Sequence, residues 1–257
     1  MTLVTYLGDA KLKADFVAEI AKHEAADQII AGTYKEWDGQ VFRACAIGCS
    51  LHSLNILQGK SELCEGTALH ERFEIELGWP IWLAYLEDDV FEHLPANLQK
   101  TWPRRIAEAI PVGAVADDIA LAKILRWLLT GEEFGVRHAS NDPEIVGVVD
   151  RMGALFDRVI TNDNVPTENE WHDVGLTALA ARAAWAALAA EAALAARAAL
   201  AAEAARAVWA ARAAEAVRAA RAAWAAWAAR DAAKRDAYYP ALSEVVLTLL
   251  RELPVLV

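Results

Sequence analysis

Apolar positions recur along this chain at helical spacing, and the breaks in that spacing divide it into short elements. In Lys11–Ala26, residues Phe16, Val17, Ile20 and Ala21 fall on one side, which predicts an amphipathic helix. A second short helix is predicted over Ala25–Ala31, ended by Gly32. Thr33–Trp37 and Val41–Ala46 flank Asp38-Gly39 and predict a two-stranded hairpin, the one persuasive β element. Helices are then predicted over Ser50–Leu57, Ala68–Leu77, Ile81–His93, Arg104–Ile110, Asp117–Leu129 and Glu144–Ile160. Pro80 and Pro103 stand in first turns, where a missing N–H costs nothing, and Asp142-Pro143 caps the last of these helices. Gly78, Pro95, Pro111 and Gly131 act as stops. Pro240–Leu253 predicts one more amphipathic helix, with Leu242, Val245, Val246, Leu249 and Leu250 docking back on the body.

The pattern changes completely after Thr167 and Glu170, which have capping-box spacing. From Leu179 to Arg230 every third residue is large, beginning Leu179, Arg182, Trp185, Leu188, and alanine fills nearly all the rest. Alanine is the best helix former, and no Gly or Pro intervenes between Gly175 and Pro240. One unbroken helix here would run to roughly 90 Å, far beyond a compact globule, so it either folds back or meets another chain. Three residues turn a helix by about 300°, so the large residues spiral around it and leave no apolar stripe. Arg or Glu recurs too often for a membrane span. The expected architecture is therefore mainly α. It comprises a helical body over 1–165 with a small hairpin near 33–46, an alanine-rich helical arm over 166–237, and a C-terminal helix over 238–257.

Charge sharpens this picture. The net formal charge is −11. The alanine-rich stretch is basic, so the body is more acidic than the total suggests. An acidic protein is a poor candidate for general nucleic-acid binding. The three cysteines, Cys45, Cys49 and Cys64, and the absence of a signal-like start imply a reducing cytoplasm.

The cysteines also supply candidate chemistry. Cys45, Cys49, His52 and Cys64 are residue types that zinc takes in fours, and they form the candidate metal set. Cys49 at a helix start with His52 or His70 is a candidate nucleophile and base. The plainer reading is that both cysteines pack as small hydrophobes around Ala46, Ile47 and Gly48. His70, Glu71 and Glu74 share one helix face, and with His93 they offer a second metal or acid–base set, against the alternative of a solvated acidic face. The run Glu87-Asp88-Asp89 reads as surface. Arg43, Arg104, Arg105 and Arg137 with Trp102 are candidate contacts for an anionic ligand, because arginine pairs with phosphate and aromatics stack on bases. There is no P-loop, no dinucleotide-binding glycine fingerprint and no Gly-x-Ser-x-Gly elbow.

Several of these motifs occur together: Gly32-Thr33-Tyr34, Cys45-Ala46-Ile47-Gly48-Cys49-Ser50-Leu51-His52, Leu77-Gly78-Trp79-Pro80, Phe91-Glu92-His93-Leu94-Pro95, Trp102-Pro103 and the alanine triplets. As a set they resemble a group of uncharacterised proteins of phages and bacteria. The resemblance implies a phage or mobile-element accessory protein and brings no catalytic residue with it. The functional expectation is a non-catalytic cytoplasmic protein without a cofactor, homo-oligomeric through its arm. It would sequester a small anionic, nucleotide-like ligand to counter host defence. The alternatives are a cysteine- or zinc-dependent hydrolase centred on Cys45, Cys49 and His52, and a helical scaffold or inhibitor of a host protein acting by assembly.

Overall fold

Helix caps and helix-period burial account for most of the observed elements, which a computed structural model describes over residues 3–37, 41–60, 69–139, 141–171, 173–174 and 232–256. The alanine-triplet segment, and with it the expected arm, lies outside the described residues, as do Asp38-Gly39 and Cys64. The described chain is mainly α with one small antiparallel hairpin. Among the described residues no helix is long and apolar enough to cross a membrane. Two compact units are formed, Met1–Ala116 with Tyr239–Val257, and Asp117–Tyr238.

In the first unit, α1 (Ala10–Ala25) is capped by Asp9, whose side chain accepts from the Lys11 amide. Asp27 then takes a left-handed φ of 54°. Residues 28–30 run alongside Ala44, with the Ala44 amide donating to Gln28 O at 2.9 Å and Ile30 N to Ala44 O at 2.9 Å. The second helix expected over Ala25–Ala31 is therefore replaced by extended chain, because Ala44 offers the backbone partners a short isolated helix would lack. The hairpin pairs β1 (Glu36–Trp37) with β2 (Phe42–Arg43) in the register Glu36↔Arg43 and Trp37↔Phe42.

Helix α2 (Ala46–Leu57) is the centre of this unit, buried nearly all round and packed by α1, by α4 (Ile81–His93) and by α6 (Trp102–Ala109). Gly48 allows the loop carrying Tyr34 to touch it: a Cβ there would lie 2.0 Å from the Tyr34 carbonyl oxygen. Helix α3 (Glu71–Leu77) ends at Gly78 in a left-handed cap with φ 64°. Arg72 ties α3 to α2, donating to Asn55 Oδ1 at 2.8 Å and to Glu76 Oε1 at 2.8 Å. Trp79 is enclosed by Tyr6, Phe16 and Phe73, with ring centroids at 5.8, 6.1 and 5.8 Å. A short helix, α5 (Ala96–Gln99), precedes α6.

The second unit is built on α7 (Asp118–Thr130) against α8 (Pro143–Thr161). Ile124, Leu125 and Leu128 of α7 and Val148, Val149, Met152 and Phe156 of α8 are buried. The Thr167 capping box forms, with Glu170 Oε2 accepting from the Thr167 amide at 2.8 Å, and residues 168–171 are helical. The C-terminal helix, α9 (Ala232–Arg251), starts well before Pro240 and carries that proline inside it. Its Leu242, Val246, Leu247 and Leu250 are buried, while Val245 and Leu249 are only partly so. In the first unit Arg105 reaches Glu244 at 2.6 Å, and the chain end pairs through Val115 N to Pro254 O at 2.9 Å.

Candidate metal centre

Cys45 is the N-cap residue of α2, held extended at φ −66° and ψ 179°. Its amide donates to Thr33 O at 2.7 Å, so the loop that crosses Gly48 also fixes Cys45. Asp88 and Glu92 lie four residues apart on α4 and so share one face. Because α2 packs on α4, the Cys45 sulfur and one carboxylate oxygen from each of Asp88 and Glu92 come within 4.8 Å of one another. Cys45 is buried, and both carboxylates are half-buried. The Gly32 amide donates to Glu92 Oε2 at 2.9 Å. On the other side, His70 Nε2 stands 3.5 Å from Asp88 Oδ2, and the His70 ring stacks on Tyr85 at 4.1 Å and 17°.

The electrostatics are set by burial and by the two neighbouring carboxylates. Burial pushes the Cys45 thiol up to about 12, and the Asp88 and Glu92 charges add to that shift, while the Gly48 and Ile47 amides oppose it. Glu92 is likewise raised, first by burial and then by Asp88. Such a thiol is a poor nucleophile, since the thiolate is the reactive form. Two half-buried carboxylates are crowded against a protonated thiol, and a divalent cation bound there would offset the carboxylate repulsion and favour loss of the thiol proton. Thiolate with carboxylates suits zinc, whereas magnesium and calcium take oxygen alone.

Of the residues singled out in the sequence, Cys45 belongs to this set and Cys49 and His52 do not. The Cys49 thiol faces Ala44 O at 3.5 Å, buried one turn further along α2, and burial raises its pKa well above the usual range. His52 Nδ1 lies 3.1 Å from Nε2 of His23 and its ring stacks on Phe42. His70 is drawn into the site by Asp88, whereas His93 stacks on Tyr239 at 4.7 Å. The Glu87-Asp88-Asp89 run is not a surface run: Glu87 is fully buried and Asp89 nearly so. Burial pushes Glu87 up to about 8, and the Ser50 hydroxyl, 3.5 Å from its Oε1, opposes the shift.

Three of the four arginines expected to meet an anion have carboxylate partners. Arg104 Nε bonds Glu24 at 2.7 Å and its Nη1 bonds Glu108 at 2.8 Å. Arg105 pairs with Glu244 at 2.6 Å, and Arg137 with Asp150 at 2.6 Å. Arg43 sits opposite Glu36 in the hairpin. Trp102 is fully enclosed and donates its Nε1–H to Glu87 O at 3.0 Å, so its ring has no face left for a base. In the second unit, an open groove of about 500 Å³ is lined by Arg126, Arg137, His138, Glu132, Asp150 and Asp157.

Asp88 and Glu92 are the residues that sequence reasoning passed over. Their signal was a like-charge pair at i,i+4 on a largely apolar helix, which is destabilising unless something positive sits between them. The chain matches no family model, no curated protein and no solved structure.

Proposed function

We propose that the protein is a zinc-dependent hydrolase whose metal is held by Cys45, Asp88 and Glu92. The observation that carries this reading is the convergence of a thiol and two carboxylates within 4.8 Å. Three protein ligands and a partly exposed side are what catalytic zinc sites have, the remaining position being left for water. Bound there, zinc supplies a water acidified toward neutral pH. The raised thiol argues against Cys45 as an attacking group in the metal-free protein, and as a ligand it would give up its proton to the metal. The test begins with metal analysis of the purified protein, followed by replacement with cobalt. One metal per chain is expected, with a thiolate-to-cobalt charge-transfer band that Cys45→Ala abolishes. Protein that binds neither metal stoichiometrically overturns the reading. Metal-loaded protein that cleaves no ester, amide or phosphate ester removes the hydrolase assignment and leaves the centre.

A second reading, sequestration of a small anionic ligand, is favoured by the groove that brings Arg126, Arg137 and His138 together. An anion there must displace Asp150 from Arg137. Unchanged affinity of Arg137→Glu for every nucleotide that binds the wild type removes this reading.

A further inference from the structure

We infer that His70 is the positioning residue of the metal centre, holding the Asp88 carboxylate in its ligating orientation. This rests on the metal reading above. Carboxylate and imidazole meet at 3.5 Å between Asp88 Oδ2 and His70 Nε2. That nitrogen is buried, and no other group hydrogen-bonds it among the described residues. Its natural partner is therefore the Asp88 oxygen it faces.

The ring is held for that purpose from two sides. Tyr85 and Asp88 stand three residues apart on α4, on neighbouring positions of one face. The imidazole lies flat on Tyr85, with centroids 4.1 Å apart, and its edge reaches Asp88. The backbone is fixed as well, because His70 is the N-cap residue of α3 and its carbonyl accepts from the Phe73 amide at 3.2 Å. Helix α3 is anchored by Arg72 to Asn55 of α2, the helix that Cys45 caps. The histidine and the thiol are thus referred to the same rigid element.

A gap of 3.5 Å is longer than a formed hydrogen bond, and a small side-chain rotation closes it to a charge-assisted one. The carboxylate then uses one oxygen for the imidazole N–H and the other for the metal. Outer partners of this kind set the direction and basicity of a ligand, and losing them typically costs about 10- to 100-fold in metal affinity. His70 acts in this account through Asp88 and does not touch the metal itself.

The experiment is a cobalt titration of the full-length protein, with affinity read by competition against a chelating dye. His70→Ala is expected to weaken cobalt binding about 10- to 100-fold while the thiolate charge-transfer band persists at saturation. His70→Gln, whose amide N–H falls near the Nε2 position, should restore most of the affinity. His70→Asn, whose donor falls short of it, should not. The Gln–Asn comparison decides the matter even if the alanine variant fails to fold. Wild-type affinity in His70→Ala or His70→Asn overturns the role of His70 and leaves the centre intact. Loss in all three variants alike also overturns it, since ring packing on Tyr85 would then be the cause. Absence of cobalt binding in the wild type defeats the metal reading itself.

Discussion

Asp88 and Glu92 face each other across one turn of α4, with carboxylate oxygens within 4.8 Å. Like charges at this spacing weaken a helix by a few tenths of a kcal/mol in water, and half-burial makes the repulsion larger. The metal-free protein should therefore gain stability when one charge is removed. Glu92→Gln keeps an acceptor for the Gly32 amide and is expected to raise the thermal midpoint in chelator. Zinc at 100 times its Kd should stabilise the wild type by about 2.7 kcal/mol and the variant far less, so the order reverses. Calorimetry with and without zinc reads both signs; a lower midpoint for the variant in chelator would count against the repulsion.

Thiol reactivity tests the nucleophile reading. Cys45 is raised from 9.0 to about 12, so at a given pH it holds about a thousandfold less thiolate than in the unfolded chain. Cys49, more deeply enclosed, is raised further. In metal-free folded protein both should resist iodoacetamide, and both should alkylate readily in denaturant. Peptide mass spectrometry assigns each site, and rapid labelling of folded Cys49 would revive the nucleophile reading.

The His23–His52 pair should make the first unit sensitive to mild acid. His23 Nδ1–H donates to Gln28 Oε1 at 2.6 Å, which leaves Nε2 to accept from His52 Nδ1–H at 3.1 Å. Burial lowers both pKa values below 6.5, and His23 also depresses His52, while Glu19 raises both and Lys22 lowers His23. Above pH 6.5 folded and unfolded chains are both neutral at these sites, so neither side gains. As pH falls through 6.5 the unfolded chain takes up protons that the folded pair refuses, and stability falls. Denaturant titrations from about pH 7.5 to about pH 5 should show a smaller loss in the His23→Gln, His52→Gln double variant. The comparison isolates the pair from Glu87, whose raised pKa acts in the opposite sense. Equal slopes would mean that the pair titrates normally.

Gly48 is where the Tyr34 loop and α2 touch. An added Cβ meets the Tyr34 carbonyl oxygen at 2.0 Å and the Ala44 Cβ at 2.6 Å, and backbone cannot give way cheaply. Gly48→Ala is expected to cost about 1–3 kcal/mol. It should also weaken metal binding, because the same loop holds the Cys45 amide at Thr33 O. Unchanged stability and metal affinity would show that the loop is free to move.

Much of the helical framework was legible because it is written locally. Apolar spacing and caps placed Ile81–His93 as found, and located the helices now seen at Ala10–Ala25, Asp118–Thr130 and Pro143–Thr161 to within a residue at each end. Asp9, Asp117 and Asp142 each cap through their own side chains, a signal that needs no distant partner. The short elements were less legible. Helix α2 begins four residues before the expected Ser50, since Cys45 caps it once the loop is in place. The Ala25–Ala31 helix gave way to pairing with Ala44, fourteen or more residues on in the chain.

The sequence by itself determined where the longer described helices lie and the mainly α character, because helix spacing, propensity and capping act over three or four residues. Tertiary structure alone decided what the polar residues do, because charge and burial depend on which faces meet. Glu24 neutralises Arg104 from 80 residues away and Glu244 pairs with Arg105 from 139 away, so the arginines that look ready for an anion are already matched. Packing of α2 on α4 brought the Cys45 sulfur to Asp88 and Glu92, while the Cys49 thiol and His52 took other partners. No periodicity within either helix encodes that choice. It follows from the shapes of the two surfaces, and with it a buried thiol comes to lie against two half-buried carboxylates.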